Sequence, residues 1–263
     1  MEETRGQGSA DAFWLARKEM RRAWPSYVVG GSIVSFLGLI AAVSLSGVLE
    51  MDGLGAGEKM GEFYDAFFAD YLFLLVCAIL GANTIFRYYT QNWRDTFSSR
   101  LAFLSSLPIS AGALVGGRVL CMLCTLVVGS LAFFLPVYFF SDLGEELGTG
   151  TYLSFCGVWV GYGLLGAGLW LLMEFGVSDR AYAFISYTFA LTLMVVVIVL
   201  DWRADFGLVE RTTQLVQSGY GVLSSILSIV AGGAAFVLLT WATVRRVQKD
   251  KSVREPLGMR VDA

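Results

Sequence analysis

Six long apolar runs dominate this chain and leave little sequence for anything else. They occupy roughly residues 26–49, 66–88, 113–140, 151–175, 181–200 and 220–243. A helix needs about 20 consecutive apolar residues to cross a bilayer, and each run is long enough. Only 16% of the residues are charged and 56% are hydrophobic, whereas soluble domains carry about 25% charged residues. We therefore predict an all-α polytopic membrane protein, with six transmembrane helices in one membrane domain over residues 26–243.

The distribution of Lys and Arg predicts the orientation of these spans. Sixteen of the 19 basic residues fall in the N-terminal segment, the loop between spans 2 and 3, the turn before span 5 and the C-terminal tail. Because cytoplasmic segments are enriched in Lys and Arg, we expect a multi-pass protein of the cell membrane with both termini cytoplasmic. Residues 1–25 and the basic tail 244–263 would then lie inside. The acidic residues after spans 1 and 3, among them Asp70, are expected to form a solvated outer surface, and the alternative is a cation-binding vestibule.

The spans lack the groups that most membrane enzymes and ion-coupled transporters require. No charged residue or His is placed deep within a run, and Arg118 and Glu174 lie near span ends, where long side chains can reach water. The chain has no His, no G-x-S-x-G motif and no G-x-x-x-x-G-K-[ST] motif. The pair Cys121 and Cys124 has no further metal ligands nearby in sequence. We expect a protein that is not itself an enzyme and binds no cofactor or metal, so that any energy for transport comes from a partner.

The segment before Pro25 has the pattern of an amphipathic surface helix. Its apolar arc contains Phe13, Ala16, Met20, Ala23 and Trp24, and the adjoining basic arc contains Arg17, Lys18, Arg21 and Arg22. Trp14 and Leu15 fall outside this pattern. Such a helix is expected to lie in the membrane interface and to meet anionic lipid. Pro25 is expected to end it before span 1, and the alternative is an irregular basic anchor.

A second surface helix is predicted between spans 2 and 3, at residues 92–110. Its apolar face contains Trp93, Phe97, Leu101 and Leu104, which recur at helical spacing. Pro108 cannot continue the helix and disfavours the helical conformation at Leu107, and Ser110 is suited to cap span 3. The Pro would form a corner between a helix along the membrane and a helix through it. The alternative is a plain connecting loop.

The residues around this corner resemble a known family, the permease subunits of type-2 ABC exporters. The loop reads R-Y-Y-x-x-N-W-R-D and then F-L-S-S-L-P-I-S-x-x-x-L-V-x-G-R-V-L. In that family the loop between spans 2 and 3 commonly carries an element of the form sLPis…iv.gk. The matching residues are Leu107, Pro108, Ile109, Ser110, Val115, Gly117 and Arg118. The N-terminal stretch A-R-K-E-M-R-R-A-W, residues 16–24, is similar to the family's kKElr opening.

The resemblance implies a half-transporter that depends on other subunits. Two six-span subunits would pair as a homodimer or heterodimer in the lipid bilayer, and each would dock a separate nucleotide-binding ATPase subunit. Docking would use the helix at 92–110, as an ATPase-coupling helix, together with the N-terminal helix. ATP and Mg would then belong to the partner, and no nucleic acid is expected as a partner. The family also commonly has a partly helical outer segment between spans 5 and 6, which 201–219 fits. The alternative function is a non-transport membrane scaffold or sensor subunit that holds a cytoplasmic partner through the same helix.

A stripe of small residues in span 1 is a possible dimer face. Gly31, Ser35, Gly38 and Ala42 recur on one side of the helix, and small residues permit close helix approach in lipid. In the resembling family, spans 1 and 5 form the subunit interface. The alternative for this stripe, and for the glycines of spans 4 and 6, is packing within one subunit.

The predicted orientation can be tested with single cysteines in a variant whose four native cysteines are replaced by alanine. We expect Ser99→Cys, within 92–110, to react with a membrane-impermeant maleimide only after the cells are permeabilised. Glu58→Cys, in the predicted outer loop, is the control and should react in intact cells. Labelling of Ser99→Cys in intact cells would show that the 92–110 segment is outside and would end the coupling-helix hypothesis.

Overall fold

A computed structural model of the chain describes residues 2–49, 58–82, 110–177, 179–204 and 207–258. These residues form helices and turns, with no strand among them. The helices are α1 (Glu2–Leu49), α2 (Glu58–Ile79), α3 (Ala111–Phe140), α4 (Leu143–Gly176), α5 (Asp179–Ala204), α6 (Leu208–Leu215) and α7 (Gly221–Gly258). A π-helical turn, Val216–Tyr220, joins α6 to α7. The prediction of an all-helical chain is confirmed.

Five helical segments in the described residues are long and apolar enough to cross a membrane. They are Tyr27–Ser46, Ala111–Phe140, Leu143–Gly176, Ala181–Leu200 and Leu208–Lys249. Helices suit this environment because they satisfy their backbone hydrogen bonds internally. The protein is therefore a multi-pass membrane protein with five candidate spans. The predicted second span corresponds to a shorter apolar helix, Phe67–Ile79.

α2 ends in a turn inside the run predicted for the second span. The helix ends at Ile79, and Leu80 and Gly81 form a turn in which the Ala82 amide donates to the Ile79 carbonyl at 2.8 Å. A Cβ at Gly81 would collide with the side chain of Ala167 in α4. The close approach of α4 therefore requires glycine at the point where the predicted run would have continued. Residues 83–88 of that run lie outside the described residues.

Pro25 does not end the N-terminal helix, so this prediction is wrong. α1 runs from Glu2 to Leu49 with Pro25 inside it. A proline within a helix removes one backbone hydrogen bond and costs about 3 kcal/mol in a typical helix. On both sides of Pro25, α1 packs against α3, with Leu15 before it against Gly117 and Gly38 after it against the backbone of Phe133. Contacts with the same neighbour above and below the proline keep the helix continuous.

The boundary predicted between the last span and the tail also lies inside a helix, because α7 continues to Gly258. Val247 is buried in this extension, and the Arg246 guanidinium donates to the carbonyl of Gly176 at the end of α4, at 2.8 Å. The first part of the predicted tail is thus packed against the bundle.

Small residues bring α4 and α7 together more closely than any larger side chains would allow. A Cβ at Gly161 would meet the backbone of Ser228, and a Cβ at Gly232 would meet the backbone of Gly161. The Ser228 hydroxyl also donates to the Val158 carbonyl at 2.7 Å. Gly161 and Gly232 therefore pack within one chain, which was the alternative left open for the glycines of spans 4 and 6.

Within the segment 201–219, which the resemblance implied to be partly helical, Leu208–Leu215 forms α6, and a buried carboxylate positions this helix. Asp70 in α2 is only 4% exposed, and its two oxygens accept from the backbone amides of Leu208 and Val209 at 2.6 and 2.8 Å. The amides at the start of a helix have no partner within the helix, and a carboxylate satisfies them well. The expectation that Asp70 lies on a solvated surface is wrong, because Asp70 caps α6.

We expect Asp70→Ala to lower the free energy of unfolding by about 1.5–3 kcal/mol, the typical contribution of hydrogen bonds to a charged group. The loss should appear as a lower melting temperature in detergent and as faster amide hydrogen exchange in α6. Asp142→Ala is the matched control. Asp142 is exposed and stands before α4, but its side chain makes no capping bond. Equal melting temperatures for the two variants would contradict the capping role.

Candidate functional site: a buried charge cluster joining three helices

Three charged side chains from three helices meet at one end of the bundle. The Arg118 guanidinium in α3 lies 3.1 Å from a carboxylate oxygen of Glu19 in α1, and its other terminal nitrogen contacts the carboxylate of Glu174 in α4. Glu19, Arg118 and Glu174 are 7%, 4% and 2% exposed. We call these three residues the charge cluster. We call the end of the bundle that contains them, where α1, the start of α3 and the end of α4 meet, the basic end.

The close approach of α1 to α3 brings Glu19 to Arg118. Ala12, Leu15, Ala16 and Glu19 are all buried, and they recur at helical spacing on one face of α1. A Cβ at Gly117 would lie 3.0 Å from the carbonyl oxygen of Ala12 and 3.1 Å from the side chain of Leu15. Glycine at 117 therefore permits α1 to pack directly on α3, one residue before the arginine. One helical turn beyond Gly117, the Cys121 thiol lies 3.6 Å from the Ala16 carbonyl oxygen and extends the contact.

The other components of the basic end hold α4 in place beside the cluster. The Trp170 indole donates to the carbonyl of Ala78 at the end of α2, at 2.9 Å, and its ring packs on Tyr182 of α5 at a centroid distance of 5.5 Å. Arg246 of α7 caps the carbonyl end of α4. Glu174 therefore sits on a helix end that is tied to α2, α5 and α7.

The electrostatics of the cluster are asymmetric, with one cation between two carboxylates. Among the described residues, no hydrogen-bond donor with good geometry reaches the second oxygen of Glu174, and Arg118 Nε has no acceptor. Burial of charges in this way carries a desolvation penalty that their attraction only partly offsets, and apolar replacements are often as stable. The cluster therefore joins α1, α3 and α4 at the cost of removing three charged groups from water.

Two sequence expectations about these residues are wrong. Arg118 and Glu174 do not extend to water from the ends of their spans, because both are buried and paired with each other. Leu15, which fell outside the amphipathic pattern, is buried in the core of the basic end.

The residues assigned to the interfacial helix lie mostly on the outside of α1. Phe13 and Trp24 are exposed, as are the cations Arg17, Lys18 and Arg21, while Met20 is half-buried. The Lys18 ammonium lies over the ring of Trp14, 4.8 Å from its centroid. Of the predicted apolar arc, Ala16 thus faces the protein, whereas the aromatic rings of Phe13 and Trp24 face the surroundings beside the exposed cations.

Of the residues assigned to the predicted coupling helix, the structure describes only Ser110. The coupling residues Trp93, Phe97, Leu101, Leu104, Leu107 and Pro108 lie outside the described residues. Ser110 caps α3, as expected, by accepting from the Ala113 amide at 3.1 Å.

Half of the proposed dimer face is occupied within the chain. Gly38 packs against the backbone of Phe133, and Ala42 is fully buried. Gly31 faces open space and Ser35 is half-buried, so only the N-terminal half of the stripe remains accessible.

Sequence reasoning missed Glu19 and the pairing of the cluster. The available signal was the position of Glu19, four residues after Leu15 and three after Ala16, on a face otherwise made of small apolar residues. A lone carboxylate on such a face indicates a buried cationic partner. Its partner is 99 positions away in the sequence, so spacing alone could not identify it.

Comparison of the chain with protein-family models, with curated proteins and with solved structures finds no match.

The cluster makes a specific prediction about stability. Arg118→Met leaves two carboxylates buried side by side, so we expect the free energy of unfolding to fall by about 3–5 kcal/mol. The triple variant Glu19→Leu, Arg118→Met, Glu174→Leu removes all three charges and should recover most of that loss. Arg21→Met removes an exposed cation from α1 and should change stability by no more than about 0.5 kcal/mol. Thermal unfolding in detergent measures all three, and a triple variant no more stable than Arg118→Met would contradict the pairing.

Proposed function

We propose that this chain is the permease subunit of an ATP-driven exporter of the ABC type, forming the substrate path and coupling to a separate ATPase subunit. The observation that carries the proposal is the position of Arg118. It belongs to the L-P-I-S…L-V-x-G-R element that resembles the family, and it joins α3 to α1 and α4. The same residues that suggest the family thus connect the segment expected to meet the ATPase with the rest of the bundle.

The structure of the basic end supports a mechanical role for this connection. Residues 92–110 lead directly into α3, whose first turn is capped by Ser110. A displacement of the start of α3 would be transmitted to α1 through Gly117 and Glu19, because α1 lies directly against α3 at Gly117 and Glu19 pairs with Arg118. It would be transmitted to α4 through Glu174. In this proposal, ATP binding and hydrolysis in the partner move three spans together.

The exposed surface of α5 supports a second permease subunit. Within Ala181–Leu200, only Tyr182 and Val197 are buried. Large apolar residues stand outside the bundle along the rest of this helix: Phe184, Tyr187, Leu191 and Val195. α1 also presents apolar side chains outward, including Phe36 and Val43. We propose that α1 and α5 form the interface with the second subunit, as the resemblance implies, with lipid covering what remains.

The proposal is tested first by isolating the protein with its partners. We expect the tagged chain, extracted in mild detergent, to purify with a polypeptide that contains G-x-x-x-x-G-K-[ST], and the complex to hydrolyse ATP in the presence of Mg. Purification with a cytoplasmic protein that lacks this motif would instead favour the scaffold or sensor function. Purification of the chain without any partner would contradict both.

The docking surface is tested by a matched pair of substitutions. Leu104→Asp places a charge on the predicted apolar face of the coupling helix, and we expect it to reduce co-purified ATPase activity by at least about tenfold, as loss of an interface hot spot does. Leu215→Asp introduces the same change on an exposed residue of α6, remote from the basic end, and should leave the activity within about twofold of the unmodified chain. Equal activities for the two variants would contradict the docking role of 92–110.

A further inference from the structure

We infer that the groove between α1 and α3 binds one anionic phospholipid, with an acyl chain between the helices and the headgroup at the basic end. The groove encloses about 320 Å³ and its walls are almost entirely apolar. Its lining includes Met20, Trp24, Tyr27 and Gly31 of α1 and Val128 of α3. The inference requires only that the chain lies in a membrane, and it does not depend on the proposed ATPase partner.

The groove exists because α1 and α3 touch at two points and separate between them. At the basic end, Gly117 permits contact with Ala12 and Leu15, and further along, Gly38 packs on the backbone of Phe133. Between these contacts Gly31 faces open space, with no atom within 4 Å of a Cβ built on it. Both ends of the gap are thus determined by close backbone contact, and the absence of a side chain at Gly31 leaves it open.

The shape and chemistry of the groove suit an acyl chain better than water. Water needs several polar partners to occupy a cavity, and the lining has almost none. An apolar space of this size left empty would forfeit the contacts of every side chain around it. In a bilayer, the nearest material that fills such a space is a lipid chain.

Two cations of α1 lie toward the basic end from most of the groove, and they favour a lipid with an anionic headgroup. Arg17 and Arg21 are exposed and lie on the same face of α1 as Met20 and Trp24, at helical spacing. Lys18 lies over Trp14 and Glu19 pairs with Arg118, so neither belongs to this face. An acyl chain between Tyr27 and Val128 would therefore place its phosphate beside two guanidinium groups, which bind phosphate well.

The test measures lipid that stays bound after the full chain is released from vesicles of mixed phosphatidylglycerol and phosphatidylcholine. Native mass spectrometry in mild detergent counts the bound molecules. We expect one phosphatidylglycerol per chain, retained over phosphatidylcholine. Each arginine near an anionic lipid contributes about 1 kcal/mol, or about fivefold, so Arg17→Gln with Arg21→Gln should reduce the preference by roughly 10- to 30-fold. Lys18→Gln with Arg245→Gln removes the same charge away from the groove and should leave the preference unchanged.

A second pair of variants tests the groove itself. Gly31→Leu fills the open space without meeting any atom at its Cβ, and Gly233→Leu makes the same change at an equally open glycine of α7. We expect Gly31→Leu to lose the bound lipid and Gly233→Leu to retain it, with similar melting temperatures for both. Retention of phosphatidylglycerol by Gly31→Leu would overturn the inference, as would equal retention of both lipids by the unmodified chain. A lipid-free dimer of the unmodified chain would also overturn it, because a second copy would then occupy the groove.

Discussion

The ion pairs of Arg118 with Glu19 and Glu174 determine how the basic end of this protein is assembled. A buried guanidinium must be paired, and its two carboxylates come from helices that lie far apart in the sequence. Because Arg118 contacts Glu19 of α1 and Glu174 of α4, both helices meet α3 at the level of this residue. Gly117 makes this possible, because a larger residue would hold α1 away. The charge cluster thus sets the relative height of three helices.

At the opposite end of the bundle a buried charge also joins two helices, but its partners are backbone amides instead of a charged side chain. There Asp70 is buried and accepts from two backbone amides of α6, which joins α2 to the short helix that precedes α7. In lipid, apolar side chains gain little by leaving one apolar environment for another, so helix association depends on close packing and on polar contacts. In this chain glycines such as Gly161 and Gly232 permit the close packing, and buried carboxylates make the polar contacts.

The proposed function and the lipid site both depend on where the charge cluster and the groove lie in the fold. Arg118 lies on the element that resembles exporter permeases and joins α3 to α1 and α4, and the proposed transmission from an external ATPase uses these contacts. The groove lies between the two contacts of α1 with α3, and its cations belong to the outer face of the same N-terminal helix. A single helix, α1, therefore contributes to the charge cluster, to the bundle core and to the wall of the groove.

The sequence by itself determined the helical class, the approximate positions of the candidate spans and the cap at Ser110, because apolar length and capping are local properties of the chain. It did not determine that α1 continues through Pro25, since contacts with α3 on both sides outweigh a local cost. Nor did it reveal the charge cluster or the capping of α6, whose partners are separated by 99 and 138 positions. Only the tertiary structure decided these features, because a buried charge takes its partner from whichever helix the packing brings beside it.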